Sequence, residues 1–367
     1  MRRRILQNVA IVIRDGVPLA PFTTLELGGP ARHFADAADE AALVEALRWA
    51  DDRELPVALL GGGSNVVVSD AGFDGLVVRI ATRGLLFETS GGDATVTAAA
   101  GEPWDALVAE AVGRGLGGLE CLSGIPGLVG ATPIQNVGAY GQEVAETIRS
   151  VRVLERSSWQ TRSLSPEACG FGYRDSNFKR EPTRFVVLAV TFGLRPGAAP
   201  VLRYRELAES LAGTSEAPPT LAEARATVLA LRAKKSMLVT AGDPNRRSVG
   251  SFFTNPVVEA AEAEAVAARA GDDGATMPRW PAADGRGRVK LSAGWLIERA
   301  GIAKGLRRGP VGVSSAHALA LVHQGGGTTA ALLALAREIR DTVRVRFGVT
   351  LVPEPTFVGV AWNLASG

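Results

Sequence analysis

The 367-residue sequence has few of the residues that build covalent or metal-bound frameworks. Its two cysteines, Cys121 and Cys169, form no CxxC pair, so the sequence indicates no disulfide framework. Its three histidines, His33, His317 and His323, show no metal-ligand spacing, and we predict no metal site. These absences exclude the disulfide-rich secreted class and give no support to a metalloenzyme.

The sequence also lacks long apolar runs and an excess of either charge. No segment has about 18 uninterrupted apolar residues, so we predict no transmembrane helix. Lysine and arginine total 40 against 38 acidic residues, a net charge of +2, which argues against nucleic acid as a partner. The start, MRRRILQNVAIVIRDG, has no small-residue cleavage site and is interrupted by polar residues. We therefore expect an additional strand or tail there, and a cytoplasmic protein that binds no membrane.

What stands out instead is a glycine-rich stretch at residues 123–142. It reads SGIPGLVGATPIQNVGAYGQ, with five glycines and two prolines among mostly apolar residues. This much glycine and proline disfavours a helix, and the apolar residues disfavour an exposed loop. Because buried backbone amides need partners, we predict an irregular, buried backbone that binds a large cofactor with polar edges.

Hydrophobic periodicity predicts a protein of mixed α and β structure. The predicted helices span residues 39–53, 103–115, 221–235, 259–270, 292–300 and 328–347. The predicted strands include residues 55–60, 66–68, 76–80, 94–100, 151–155, 184–194, 318–322 and 349–355. Thr220 and Glu223 form a capping box before the third helix. The Gly- and Pro-rich segment 271–288 is expected to be a mobile loop.

A tri-glycine turn, Gly61-Gly62-Gly63-Ser64-Asn65, separates the first two of these strands. It lacks the Gly-Lys-Ser/Thr ending of a Walker loop, and no helix follows it as in the Rossmann fingerprint. Its glycines would let backbone amides approach a phosphate closely. The alternative is a tight connection between two strands.

Three polar residues lie in short motifs that each allow a plain structural explanation. An ion pair with the adjacent Asp175 would explain Arg174 in GYRDSNFK. A turn cap would explain Ser251 in GSFFTNP, which no nucleophile elbow surrounds. A charge on an exposed edge strand would explain Glu354 in LVPEP. Singly, none of the three establishes a function.

Together, however, six motifs resemble the UDP-N-acetylenolpyruvoylglucosamine reductase (MurB) family, in family order, between about Thr23 and Val358. They are LGGGSNVVVSD, SGIPGLVGATPIQNVGAYGQE, GYRDSNFK, GSFFTNPVV, KLSAGWLIERAG and LVPEP. The resemblance implies an α+β fold with a two-part FAD-binding region of the vanillyl-alcohol-oxidase (PCMH) type and a C-terminal α/β substrate-binding domain. The implied parts are two FAD-binding subdomains (1–80 and 81–200), a tyrosine loop with a connecting helix (201–235), the substrate-binding domain (236–350), and a C-terminal strand and tail carrying a catalytic glutamate (351–367).

The resemblance also implies an activity. NADPH, through non-covalently bound FAD, would reduce UDP-N-acetylglucosamine enolpyruvate to UDP-N-acetylmuramate in peptidoglycan precursor synthesis. Arg174 would bind and polarise the substrate carboxylate, Ser251 would donate a proton, and Glu354 would complete the catalytic set. We expect a monomer whose partner is the small nucleotide sugar. The alternatives are an FAD-dependent sugar or alcohol oxidase of the same superfamily and a non-catalytic nucleotide-sugar-binding protein.

Binding residues are assigned by the same resemblance. Those for FAD are Gly61, Gly62, Gly63, Ser64, Asn65, Gly124, Ile125, Pro126, Gly127, Gly130, Ala131, Gln135, Asn136, Gly138, Ala139 and Tyr140. Those for the substrate are Tyr173, Arg174, Tyr204, Lys235, Ser251, Asn255 and Glu354. Tyr204 resembles the loop tyrosine of the type I form of the family and would pack on the substrate nucleotide. Lys235 and Asn255 would contact the diphosphate region, although Lys235 is otherwise explained as the solvated end of a helix.

Overall fold

The computed structural model describes residues 11–212, 217–282 and 284–362. The additional strand or tail expected at the extreme N-terminus therefore lies largely outside the described residues. So do residues 213–216 of the predicted tyrosine loop and connecting helix (201–235) and residues 363–367 of the tail. In the described part of the chain, no helix is long and apolar enough to cross a membrane.

The first part of the chain is a four-stranded sheet covered by one helix. Its elements are β1 (Ile13–Pro18), β2 (Pro30–Ala37), α1 (Glu40–Asp51), β3 (Val57–Leu60), β4 (Val66–Val68) and β5 (Phe73–Ile80). The strand order is β1-β2-β5-β3, with β2 and β3 both parallel to β5. Helix α1 begins where Asp39 accepts a hydrogen bond from the amide of Ala42 (2.8 Å), and it buries Leu43 and Leu47 on the sheet.

The second part is a six-stranded antiparallel sheet. Its elements are β6 (Leu85–Ser90), β7 (Asp93–Ala99), α2 (Trp104–Gly113), β8 (Leu116–Gly117), β9 (Gly138–Ala139), β10 (Gln142–Glu143), β11 (Ile148–Glu155), β12 (Gln160–Leu164), α3 (Pro166–Cys169), α4 (Asn177–Arg180) and β13 (Phe185–Pro196). The strand order of this sheet is β12-β11-β13-β7-β6, with β8 also paired to β13, and β9 and β10 form a separate two-stranded sheet. The buried ring of Trp104 lies 5.7 Å from that of Phe192, which fixes α2 against β13.

Two helices, α5 (Arg205–Leu211) and α6 (Leu221–Lys234), lead to the third part. The predicted capping box at Thr220 and Glu223 is confirmed. The remaining elements are β14 (Val257–Val258), α7 (Ala260–Ala270), β15 (Arg279–Pro281), β16 (Val289–Leu291), α8 (Ala293–Arg299), β17 (Arg307–Arg308), β18 (Val311–Val313), β19 (Leu321–His323), α9 (Thr329–Phe347) and β20 (Thr356–Val358). Two three-stranded sheets, β14-β16-β15 and β17-β18-β19, share one core with α7, α8 and α9.

Two predictions about this third part are wrong. The segment 271–288 is not a structureless loop, because Gly271–Thr276 forms a 3-10 helix and β15 pairs with β16. Residues 349–355 do not form the closing strand. Its place is taken by β20, which begins two residues after Glu354. The order in 271–288 comes from a local 3-10 helix and a short pairing with the neighbouring strand β16, whereas pairing with the distant strand β4 overrides the local pattern around Glu354.

The last strand returns the chain to its first part. β20 pairs in parallel with β4, the strand that follows the tri-glycine turn, so that Thr356 lies opposite Val66. The start of α9 is fixed to the same region, because the carboxylate of Asp70 accepts hydrogen bonds from the amides of Thr329 and Ala330 (2.7 and 2.8 Å). These contacts bring the C-terminal motif to the glycine-rich turn.

Candidate active site

A cavity of about 640 Å³ lies where the three parts meet. Its wall is made by the tri-glycine turn, the stretch 125–139, the segment 236–251 and the residues around β20. Neither a cysteine nor a histidine is among the described residues that line it. A volume of this size suits a cofactor or a large metabolite.

Glycines make the close approach of the two main loops possible. A Cβ on Gly62 would lie only 2.8 Å from the Cα of Gly127, and one on Gly63 would lie 2.0 Å from the carbonyl oxygen of Phe22. Gly63 also has a positive φ of 63°. The hydroxyl of Ser64 completes the junction by donating to the carbonyl of Pro126 (3.0 Å). The backbones of both loops therefore lie directly at the cavity surface.

Most residues predicted to contact FAD line this cavity. They are Gly61, Gly62, Gly63, Ser64, Asn65, Ile125, Pro126, Gly127, Gly130, Ala131, Gln135, Gly138 and Ala139. Asn65 and Gln135 are held together by a hydrogen bond of 2.8 Å. The two loops that the motifs singled out thus form one continuous surface.

Three predicted FAD contacts, Gly124, Asn136 and Tyr140, are not among the lining residues. The contacts that each of them makes explain why. Gly124 lies against the side chains of α6. The buried amide of Asn136 donates instead to the carboxylate of Glu143 (2.8 Å). The ring of Tyr140 meets that of Tyr204 edge-on at 5.3 Å. These three residues support the wall from behind.

A residue that the sequence analysis missed is Arg232, which lines the cavity although it is only 7% exposed. Its Nη2 donates to the carbonyl of Met237 (2.8 Å), while its buried Nε has no partner in the described ranges of the chain. Burial lowers the pKa of Arg232. The signal was present, because Arg232 continues the buried stripe Leu221, Ala224 and Val228 along α6.

These features fit FAD, whose diphosphate is anionic and whose flavin and adenine rings are largely apolar. The glycine loops supply backbone at the surface, and Arg232 supplies a buried positive charge that needs an anionic partner. The lining contains no cysteine or histidine among its described residues, which fits non-covalent binding. The donor set is therefore suited to this cofactor.

Arg174 reaches the same cavity from a tight turn. Gly172 and Asp175 exchange two backbone hydrogen bonds (3.0 and 3.3 Å), and this turn holds Arg174 at a positive φ of 53°. The Arg174 side chain is 19% exposed, and its Nη2 donates to the carbonyl of Gly138 (2.6 Å). Asp175 pairs with Arg180 and not with Arg174. The geometry thus aims the charge at the cavity and fixes it there.

Glu354 is the ionic partner of Arg174, with its Oε1 3.3 Å from the Nε of the arginine. It is not a charge on an exposed edge, since its side chain is only 14% exposed. Its carbonyl lies 3.4 Å from the side-chain nitrogen of Asn65, which ties it to the tri-glycine turn. Burial raises the pKa of Glu354, although the charges of Arg174 and Lys179 oppose the shift.

Ser251 lies on a short extended segment whose backbone pairs with two other segments, one at Leu319 and one at Glu354. The amide of Phe252 donates to the carbonyl of Leu319 (2.8 Å), and the carbonyl of Phe252 accepts from the amide of Glu354 (2.8 Å). Ser251 therefore lies on the strand next to Glu354 and lines the same cavity as Glu354 and Arg174. The fold brings together all three predicted catalytic residues.

A second cleft of about 480 Å³ adjoins the first, and Arg174 lines both. Tyr173 and Asn255 lie on it, and the side chain of Asn255 accepts a hydrogen bond from the amide of Ala293 (2.9 Å). The ammonium of Lys290 lies 4.6 Å from the centre of the Tyr173 ring. Burial raises the pKa of Tyr173 and lowers that of Lys290. The cleft itself offers side-chain donors and the cations Arg174 and Lys179 for a polar, anionic substrate.

Comparison with known proteins decides the family. The model of the family described as "UDP-N-acetylenolpyruvoylglucosamine reductase, C-terminal domain" matches residues 243–358, and that of the "FAD binding domain" matches residues 31–158. The reductase of that name from Saccharopolyspora erythraea is 53% identical over 355 residues, 94% of this chain and 96% of the relative. The one from Nocardia farcinica is 50% identical over 365 residues, 98% of this chain and 93% of the relative. The chain belongs to the UDP-N-acetylenolpyruvoylglucosamine reductase family.

The fold agrees with that of the reductase family. The crystal structure of UDP-N-acetylenolpyruvylglucosamine reductase from Thermus caldophilus superposes with a TM-score of 0.65 at 26% identity, covering 95% of this chain and 99% of that chain. The predicted family is confirmed, and so is the predicted fold class, an α+β protein with an FAD-binding region and a C-terminal domain of this reductase family.

In this member of the reductase family, Tyr204 and Lys235 line neither cavity. Lys235 pairs with Glu206 of α5, and its ammonium lies 5.7 Å from the centre of the Tyr140 ring. Tyr204 is 39% exposed and packs only edge-on against Tyr140. The two predicted nucleotide contacts therefore form a separate cluster with α5 and α6.

Proposed function

We propose that the protein uses NADPH and non-covalently bound FAD to reduce UDP-N-acetylglucosamine enolpyruvate to UDP-N-acetylmuramate, a step of peptidoglycan precursor synthesis. The observation that carries the proposal is the convergence of Arg174, Ser251 and Glu354 on one cavity whose wall is made of glycine loops. About 50% identity to reductases of this name, over nearly the whole chain, supports the same reaction.

Bound FAD would be held by the glycine loops and Arg232, and it would supply the redox chemistry that links NADPH to the enolpyruvyl group. The chain supplies the charge and the proton. Arg174, fixed by Gly138 and Glu354, binds the substrate carboxylate and stabilises the negative charge that develops there. Ser251 donates a proton to the carbon next to that carboxylate, which is basic enough at that moment to take it from a hydroxyl.

Glu354 controls the charge of this site. Because burial raises its pKa, its neutral form is more accessible than that of an exposed glutamate. A neutral Glu354 leaves the charge of Arg174 available for the substrate carboxylate, while its carboxyl group can still hydrogen-bond. We propose that Glu354 tunes Arg174 in this way.

The binding assignments follow from the two cavities. We assign FAD to the thirteen predicted residues that line the larger cavity, together with Arg232, and we assign Gly124, Asn136 and Tyr140 to its support. Tyr173 and Asn255 would bind substrate in the adjoining cleft. Tyr204 and Lys235 would reach the nucleotide as a type I loop only after the Glu206 pair opens.

The proposal extends to organisation. Residues 1–80 and 81–200 form the FAD-binding subdomains, 201–235 the tyrosine loop and connecting helix, 236–350 the substrate-binding domain, and 351–367 the part that carries Glu354. We propose a monomer in the cytoplasm, the compartment that supplies NADPH and nucleotide sugars.

Steady-state turnover tests the proposed function directly. We expect NADPH consumption by the FAD-loaded protein to depend on added UDP-N-acetylglucosamine enolpyruvate. A nucleotide-sugar-binding protein without catalysis would consume no NADPH beyond one flavin equivalent, and an oxidase would instead consume oxygen with an alcohol or sugar. Either of these results would reject the reductase assignment.

A further inference from the structure

Four aromatic side chains, Phe252, Phe253, Phe357 and Trp362, pack together beside the catalytic residues, and we call them the aromatic cluster. The ring of Trp362 stacks on that of Phe357 with centres 6.0 Å apart and planes 17° apart. It meets the buried rings of Phe252 and Phe253 edge-on at 6.1 and 6.4 Å. Trp362 is thus the one member of the cluster that contacts the other three.

The cluster joins the two segments that carry Ser251 and Glu354. Phe252 and Phe253 directly follow Ser251, and Phe357 lies three residues after Glu354 on the strand that lines the cavity. The backbones of these segments share only short pairings, between Phe252 and Glu354 and between Thr254 and Val352 (2.8 and 3.0 Å). A pairing this short leaves side-chain packing to fix the distance between the two catalytic groups.

Two arginines of helix α9 also contact Trp362. The guanidinium carbons of Arg337 and Arg340 lie 5.5 and 5.4 Å from the centre of the indole ring. Arg340 is itself only 5% exposed and forms an ion pair with Asp341. Trp362 therefore connects a rigid helix to both catalytic segments.

We propose that Trp362 is a positioning residue for the step that reduces the substrate, acting through the aromatic cluster on Ser251 and Glu354. The proposal rests on the proposed function and extends it to a residue that touches neither cavity. Displacement of reacting groups by about 1 Å lowers a rate by about 10²-fold. Loss of the indole should therefore slow the step that needs Ser251 and Glu354.

The two half-reactions provide an internal comparison. Reduction of FAD by NADPH requires neither the proton of Ser251 nor the charge tuning by Glu354, whereas reduction of the enolpyruvyl group requires both. If Trp362 only positions Ser251 and Glu354, its loss should lower the rate of the second half-reaction alone. A general loss of folding would lower both half-reactions and the amount of bound FAD together.

The test compares Trp362→Ala and Trp362→Phe with the matched control Trp295→Ala. Trp295 packs against the same hydrophobic core, 6.0 Å from the ring of Phe347, and lies outside the aromatic cluster. In stopped-flow measurements of Trp362→Ala, we expect NADPH to reduce the bound FAD at a rate within about twofold of the parent rate. We expect the subsequent reduction of the substrate to be at least about tenfold slower than in the parent. Trp362→Phe, which retains a stacking ring, should restore most of the rate, and Trp295→Ala should leave both half-reactions unchanged.

Substrate affinity, measured by titration calorimetry, gives a readout that does not depend on turnover. In Trp362→Ala, substrate affinity should decrease less than the rate of substrate reduction does. The substitution disturbs the alignment of Ser251 and Glu354 and leaves the adjoining cleft intact. The proposal is overturned if Trp362→Ala slows both half-reactions equally, slows neither, or matches Trp295→Ala. If Trp362→Ala does not fold, Trp362→Leu is measured in its place by the same criteria. The parent protein tests the proposed function separately, since a parent without turnover rejects that function before any variant is compared.

Discussion

At the scale of single residues, the site depends on the ion pair of Arg174 and Glu354, in which burial makes the carboxylate of Glu354 costly to ionise. Arg174 is held by carbonyl groups and by the turn that strains its backbone. Glu354 is buried beside it, and burial raises its pKa even with two cations nearby. The pair therefore holds a fixed positive charge next to a carboxyl group that can be neutral. This combination suits binding of an external carboxylate.

The pKa of Glu354 predicts a pH dependence of stability. Since its folded pKa lies above its ordinary value of 4.5, the folded protein binds more protons than the unfolded chain between these two values. The free energy of unfolding should therefore decrease as the pH rises through this window. Glu354→Gln lacks this titrating group, so its stability does not decrease in the same way. The melting temperature of the variant minus that of the parent should therefore increase as the pH rises above 4.5, and should then reach a plateau. A difference that changes in the opposite direction would show that Arg174 lowers the pKa of Glu354.

Ser251 makes a prediction about one half-reaction. In Ser251→Ala, NADPH should still reduce the flavin, while turnover with the enolpyruvyl substrate should slow by at least ~10²-fold, the usual scale for a lost proton donor. Ser292→Ala is the control, because Ser292 caps α8 and lines neither cavity. Stopped-flow absorbance separates the two steps. Near-normal turnover in Ser251→Ala would remove Ser251 from the mechanism.

At the scale of elements, the cofactor site depends on two loops whose backbones touch. Gly62 and Gly127 meet at a distance that excludes any side chain, and Ser64 ties the loops together. Strand β4 then leads directly from this junction to its pairing with β20, which places Glu354 beside Asn65. The cofactor surface and the catalytic carboxylate thus share one structural support.

Gly62→Ala should therefore weaken FAD binding by about tenfold or more, within the ~1–3 kcal/mol that overpacking costs. The added methyl group would lie 2.8 Å from the Cα of Gly127, and backbone cannot move aside as a flexible side chain does. The matched control is Gly113→Ala at the end of α2, where a Cβ meets nothing within 4 Å. This control should bind FAD normally and should melt at the same or a higher temperature. Equal FAD affinity in both variants would contradict a cofactor site at the loop junction.

At the scale of the whole molecule, the third part is fixed to the first by contacts around the cavity. The hydroxyl of Thr24 donates to the carbonyl of Ser248 (2.7 Å), and the ring of His323 bonds to the carbonyl of Leu25 (2.5 Å). Glu26 pairs with both Arg246 and Arg247. Thr24 and Glu26 of the first part thus hold the segment that leads to Ser251, and Leu25 between them holds β19.

The wall of this large cavity predicts how the cofactor is retained. Because no cysteine or histidine is among its described lining residues, FAD should leave the protein when acid or heat unfolds it. Absorbance of the supernatant after precipitation measures the released flavin. Flavin that stays with the denatured chain would favour the oxidase alternative, in which covalent attachment is common.

The sequence was sufficient to predict the structural features that depend on neighbouring residues and the site residues that lie in the family motifs. The capping box of α6, the long helix α9 and the family motifs were readable because each depends on neighbouring residues. The true position of β20 was not readable, because it depends on pairing with the distant strand β4. The order in the segment 271–288 was not readable either, because its Gly- and Pro-rich composition gives no sign of the 3-10 helix or of the short pairing with β16. The buried position of Arg232 on α6 was readable from the sequence, but its role was missed because the cavity that it lines exists only in the folded chain.

The central claim is that this chain transfers reducing equivalents from NADPH to an enolpyruvyl nucleotide sugar through FAD. The visible spectrum of the purified protein tests it most directly. We predict a yellow flavin band that bleaches on addition of NADPH without oxygen and returns on addition of UDP-N-acetylglucosamine enolpyruvate. A protein without bound flavin, or a reduced flavin that the enolpyruvyl substrate fails to reoxidise, would contradict the account.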